Sequence, residues 1–145
     1  MRKLIIFIFI IVSRVSFAQA VYENWVAVDA EEGRTTYINV TGLSSFRGAD
    51  IYVWSMQEFN PAIIMDESIG EIYKERTYYL FNKELNRYSI MQIILYGEND
   101  DVLKSFNYDR NMNLPEFKYS LPIITNSDAD KILMKCLEII SATNQ

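Results

Sequence analysis

Two runs decide the fold: EIYKERTYYLF (residues 71–81) and RYSIMQIILY (residues 87–96), separated by the polar turn Lys83–Asn86. Both are long and rich in β-branched and aromatic residues, the composition that suits a pleated, half-buried surface. A turn this short cannot carry a parallel crossover, which needs a dozen or more residues, so the pair is antiparallel. These are the fourth and fifth strands of the chain.

The flanking sequence repeats the pattern. Tyr22–Ala30 reads as a first strand, Glu31-Glu32-Gly33 as a tight turn with Gly33 at positive φ, and Arg34–Val40 as the return strand. Ile51–Phe59 is a third strand, and Asn60-Pro61 is expected to end it because proline lacks the ladder donor. Gly97–Asp101 turns the chain into a sixth strand, Val102–Tyr108. A loop from Asp109 to Asn126 contains Pro115 and Pro122. The period then changes from two to 3.6. Ala129, Ile132, Leu133, Cys136, Leu137 and Ile140 fall on one helical face. Ser127 is a good N-cap, with Asp130 placed as its capping-box partner. The fold class is therefore α+β: about six strands in a mostly antiparallel sheet, with a C-terminal helix packed on one face.

The N-terminus sets the context. Arg2 and Lys3 precede the apolar run Leu4–Val12, and small residues follow, so residues 1–18 read as a signal peptide cleaved after Ala18 or Ala20. The run has nine residues, against about 20 for a membrane span. No Cys follows the small residues, so no lipid anchor is expected. Residues 19–145 form a single domain, with no repeat or linker and no further integral membrane segment. Arg2, Lys3 and Arg14 leave with the signal. Lys plus Arg then falls from 14 to 11 against 19 Asp plus Glu, and the net charge moves from −5 to −8. Such a domain repels phosphate backbones and anionic headgroups, so nucleic acid is not an expected partner.

Catalytic chemistry finds little to work with. There is no histidine, which removes the usual general base, the commonest metal ligand and every Ser-His or Cys-His nucleophile. The single Cys136 cannot close an internal disulfide and sits on the apolar helix face, so it reads as buried. The pairs Glu31-Glu32, Asp66-Glu67 and Asp100-Asp101 lie in turns, where adjacent carboxylates are solvated charge rather than a glycosidase pair. Asn107, Asp109, Asn111 and Asn113 alternate like the start of a calcium loop. Leu114 stands where such a loop needs Gly, and Ser120 where it needs an acid. No catalytic residue, metal ligand or cofactor is assigned.

Aromatics are the remaining signal. Tyr73, Tyr78, Tyr79, Tyr88 and Tyr96 cluster on the two long strands, and Tyr78 and Tyr79 must face opposite ways. Tyrosine favours interfaces because its ring is apolar and its hydroxyl is wettable. Tyr73, Tyr79 and Tyr88 are the candidate binding residues, with Trp54 as their buried counterpart; a bulge would invert that assignment.

Trp25 with Val28, Gly33, Tyr37-Ile38-Asn39, Gly48, Val53-Trp54, the strand Lys74–Phe81, Tyr96-Gly97 and Cys136 occur in an order that resembles the surface-adhesin protein E-like family of exported bacterial domains. The likeness covers roughly residues 24–140. It implies an antiparallel sheet with a C-terminal helix, and an extracytoplasmic, non-enzymatic binding domain, at the cell surface or in the periplasm. It further implies a protein ligand, as for an adhesin of host matrix and plasma proteins, and admits a homodimer. The alternative function is that of a soluble periplasmic accessory protein of the envelope. One departure stands out. The resemblance implies a cysteine after the aromatic fourth strand, tied to the helix cysteine, whereas this chain reads Phe81-Asn82-Lys83. Such a staple would contribute about 2–5 kcal/mol.

Overall fold

The computed structural model describes residues 22–108 and 118–142. The signal segment with its cleavage points at Ala18 and Ala20, the Asp109–Asn113 part of the calcium-like run, and Pro115 lie outside the described residues. The strands are β1 (Trp25–Glu31), β2 (Arg34–Asn39), β3 (Asp50–Ile63), β4 (Ile72–Asn82), β5 (Arg87–Tyr96), β6 (Val102–Asn107) and the two-residue β7 (Leu121–Pro122). A single 3-10 turn, Leu43–Ser45, precedes β3, and α1 spans Asp128–Ala142. The sheet runs β1-β2-β3-β4-β5-β6 with every pairing antiparallel, as the short turns require. β7 pairs with β5 at Arg87 and Tyr88, short of the stretch that β6 occupies. No helix of the described residues is long and apolar enough to cross a membrane.

The α+β reading holds: a mostly antiparallel sheet of six main strands with one C-terminal helix. Three details differ from expectation. β1 begins at Trp25 rather than Tyr22. The loop before the helix yields a seventh strand, too short to show in a hydrophobic pattern. Finally, Asn60-Pro61 does not end β3, which continues through a cis peptide bond to Ile63. The reason is local. β2 runs out at the Arg34–Phe59 pair, and the β3–β4 register breaks between Glu58 and Ile63, so Pro61 sits where no ladder needs its donor. Asn60 instead donates its N–H to the carbonyl of Gly33 at 2.9 Å. Gly33 has φ 76 in the β1–β2 turn, as that tight reversal demands.

The core lies between α1 and one sheet face. Ile38, Ile51, Val53 and Phe81 point from the strands, Ala129, Ile132, Leu133 and Cys136 from the helix, and Leu43 and Ile123 close the sides. Each large apolar side chain buried there contributes about 1.5–3 kcal/mol. Phe59, Ile72 and Leu95 form a second, smaller cluster. Ser127 caps the helix start as read, its Oγ accepting from Asp130 N–H at 3.3 Å, but the Asp130 carboxylate passes Ser127 and accepts from Asn126 N–H at 2.8 Å, so the reciprocal bond of a capping box is not made. Arg34 grips Asp128 with both terminal nitrogens (2.7 and 3.1 Å), and Lys131 pairs with Asp29 and Glu31. The β1–β2 hairpin thus holds the first turn of α1.

The segment leading into α1 is strapped to the sheet by polar contacts. Ser89 Oγ donates to the Lys118 carbonyl at 2.7 Å, and Arg87 donates to the carbonyls of Tyr119 and Ser120. Asp50 accepts from Lys118 Nζ (2.6 Å), Tyr119 Oη (2.5 Å) and Asn82 Nδ2 (2.8 Å). Partial burial pushes the Asp50 carboxyl up, but those three donors outweigh it and hold it below the usual carboxylate range. A depressed carboxyl stabilises the fold fully above its unfolded value, about pH 4, and loses that contribution as pH falls toward the folded value. Urea unfolding should therefore show Asp50→Asn less stable than the wild type at pH 7, with the gap narrowing at pH 3. A gap independent of pH would show that the Asp50 charge does not hold the strap.

Candidate functional site

Strand parity and one bulge place the aromatic rings of β3, β4 and β5. In the β3–β4 ladder, Val53 pairs with Tyr79 and Ile51 with Phe81 on the helix side, while Trp54 pairs with Tyr78 and Tyr52 with Leu80 on the other. Between Tyr78 and Tyr79 the β4–β5 register slips, so Tyr78 meets Gln92 but Tyr79 meets Ile90. Met91 is the extra residue.

The candidate tyrosines are thereby split. Tyr79 and Tyr88 lie together, with centroids 5.8 Å apart, and both stack on Phe81 at 5.2 and 5.7 Å. They pack against the main core, so their rings do not form an open surface. Burial raises both phenols above their ordinary value, and Asp128 adds to the effect. Tyr73 is six residues from Tyr79 along β4, roughly 20 Å at strand rise. It donates to Glu71 at 3.2 Å and borders a separate recess with Phe59, Lys74 and Asp100. Trp54, expected to be their buried counterpart, is half-buried on the opposite face.

That opposite face carries the arrangement most suited to binding. Phe46, Tyr52, Tyr78 and Trp54 form a run of rings, with successive centroids 6.5, 6.1 and 4.9 Å apart. The Trp54–Tyr78 pair is stacked at 20°. Asn39, Thr41 and Ser45 line the same shallow recess, of about 360 Å³, with the rings. Farther along the face Arg76 lies over the Trp25 and Tyr96 rings at 5.1 and 5.6 Å, and Lys74 over Tyr96 at 4.9 Å. A ring platform with polar edges receives flat or apolar groups by stacking, worth about 0.5–1.5 kcal/mol per ring pair beyond burial. The sequence signal for it was alternation: Tyr52 and Trp54 share a face two residues apart, opposite Val53. Nothing in the sequence said which of the two faces the helix would cover.

One carboxylate of each candidate pair makes a structural contact. Asp66 caps the Ser68 N–H at 2.8 Å, Glu31 pairs with Arg34 and Lys131, and Asp100 pairs with Lys74. Among the described residues no group of three or more His, Cys, Asp or Glu side chains is placed to hold a metal ion. Cys136 is fully buried in the core, as its helix position implies, and burial pushes its thiol up to about 12. No family model, no curated protein and no solved structure matches the chain.

A thiol so placed is protonated and covered at neutral pH. Native protein treated with Ellman's reagent at pH 8 should release no thiolate over minutes, and one equivalent at once on addition of denaturant. Immediate native reactivity would place Cys136 outside the core.

Proposed function

We propose that this protein is a non-enzymatic, exported binding domain that recognises a protein ligand with the open aromatic face of its sheet. The observation that carries the reading is the run Phe46–Tyr52–Tyr78–Trp54 on the sheet face opposite α1, beside the Asp50–Ser89 end that residues 118–120 cover. Half-exposed Trp and Tyr are the side chains that concentrate binding energy at protein interfaces. The helix covers one face of the sheet, and residues 118–120 cover the Leu80–Ser89 end of the other. Rings on the other face contribute no core volume between sheet and helix, so their clustering suits recognition. The signal-like N-terminus and the resemblance to the surface-adhesin protein E-like family point to the same use outside the cytoplasm.

The test has two arms. Intact expressing cells are treated with protease and the protein followed by immunoblot; loss of the band is expected for a surface location. Protection in intact cells with release by osmotic shock would favour a periplasmic accessory role instead. Purified protein is then tested for capture on coated matrix and plasma proteins. Tyr78→Ala, which removes the ring shared by Tyr52 and Trp54, should weaken capture tenfold or more, about 1.4 kcal/mol. Tyr73→Ala, away from the platform, should leave it unchanged. Equal capture by Tyr78→Ala and the wild type would overturn the assignment of this face.

A further inference from the structure

The least explained polar group on the open face is Arg76. Its guanidinium is clamped between the Trp25 and Tyr96 rings, yet its Nε is buried with no acceptor. Among the described residues its two terminal nitrogens reach only the Glu23 carboxylate, at 3.3 Å each. The Trp25 indole N–H donates to the same carboxylate at 3.1 Å. These contacts are long for charge-assisted bonds, which settle near 2.7–2.9 Å. The same molecule shows what a well-seated pair looks like, since Arg34 meets Asp128 at 2.7 Å.

Glu23 is also a removable occupant. It precedes β1, and its side chain is two-fifths exposed. The backbone around it is held independently: Asn24 N–H bonds to Asn39 and Thr41 side chains, Thr41 Oγ1 donates to the Tyr22 carbonyl, and Val40 N–H donates to the Asn24 carbonyl. Glu23 can therefore leave by side-chain rotation alone, with no ladder bond broken. What remains is a planar, permanently charged fork fixed by two rings beside an indole donor, a preorganised receiver for a carboxylate.

We infer that Arg76 and Trp25 form a carboxylate-binding position on the open face, filled in the free protein by Glu23 and taken over by an acidic side chain of the protein partner. The inference rests on the proposed function for the nature of the partner and adds its chemistry. Glu23 then acts as an internal competitor. It keeps the arginine paired while the face is empty, and it sets a threshold that only a carboxylate positioned by the neighbouring rings overcomes.

The test isolates this position from the rest of the face. The Trp25 indole N–H is assigned by its loss in Trp25→Phe, and is followed by NMR during titration with an acetylated, amidated Gly-Glu-Gly peptide, with Gly-Gln-Gly as control. Glu23→Ala should show a saturable shift with a dissociation constant at least tenfold below that of the wild type, and no response to the Gln peptide. Adding Arg76→Gln to Glu23→Ala should abolish the response. Should that double variant lose its dispersed spectrum, Arg76→Lys in the same background keeps the charge without the fork and should retain at most a tenth of the affinity. Equal responses in Glu23→Ala and the wild type, or a full response without the arginine, would overturn the inference. Capture on coated proteins reads the ring platform and the titration reads the carboxylate position, so either can fail alone.

Discussion

The β3–β4 ladder is the constraint from which the rest of the molecule follows. Nine consecutive pairs, Asp50–Asn82 through Glu58–Lys74, run without a slip in the middle of the sheet. Side chains alternate strictly across such a stretch. One phase therefore sends Ile51, Val53, Tyr79 and Phe81 to the helix and Tyr52, Trp54 and Tyr78 to the other side. Core and platform are two readings of one register, and a slip of one residue would exchange them. Packing by α1 makes one phase the core: Ile51, Val53 and Phe81 meet the apolar stripe Ala129, Ile132, Leu133 and Cys136.

The helix is held at two levels. Its apolar stripe supplies the non-directional attraction, and its first turn supplies direction. Arg34 and Lys131 reach across to Asp128 and to Asp29 and Glu31. Exposed ion pairs of this kind contribute little each, commonly under about 1 kcal/mol. Their value lies in geometry: they join the β1–β2 turn to the helix N-terminus, where the acidic side chains also suit the helix dipole. Absent a disulfide partner for Cys136, this hairpin clamp and the Asp50 strap are the polar ties that seat the C-terminal segment. Cys136 itself contributes as a small buried apolar group.

Much of this was legible in the sequence, and the failures have physical causes. Strands were readable where β-branched and aromatic runs alternate between turn formers, and the helix where spacing changed to 3.6 with Ser127 ahead of it. Pro61 misled because the rule against proline in strands concerns ladder donors, and at a register break there is no donor to lose. β7 was invisible because two residues carry no periodicity. The candidate rings were half legible. Alternation grouped Tyr52 with Trp54 and opposed Tyr78 to Tyr79, but the sign of each face depends on where α1 docks, a tertiary fact. Arg76 was missed because an isolated arginine in a strand is an unremarkable solvated charge until the rings on either side are placed.

The extra residue in β5 has a consequence for how this chain can change length. On either side of Met91, even-numbered positions of β5 face opposite ways: Gln92 sits opposite Tyr78 on the open side, whereas Ile90 and Tyr88 lie with Tyr79 and Phe81 on the helix side. The strand is one continuous segment written in two phases. Deleting Met91 would leave Ile90 and Gln92 adjacent and alternating on the sides they already face, whereas pairing β5 at full length without the bulge would turn one half inside out, carrying Tyr88 from the core to solvent or Gln92 into it. The connection between β3 and β4, residues 64–71, bears no such phase. Chain length in this fold is thus a counted quantity along the regular ladders, with Met91 as the one spare residue inside β5 and the β3–β4 connection as the place that keeps no count.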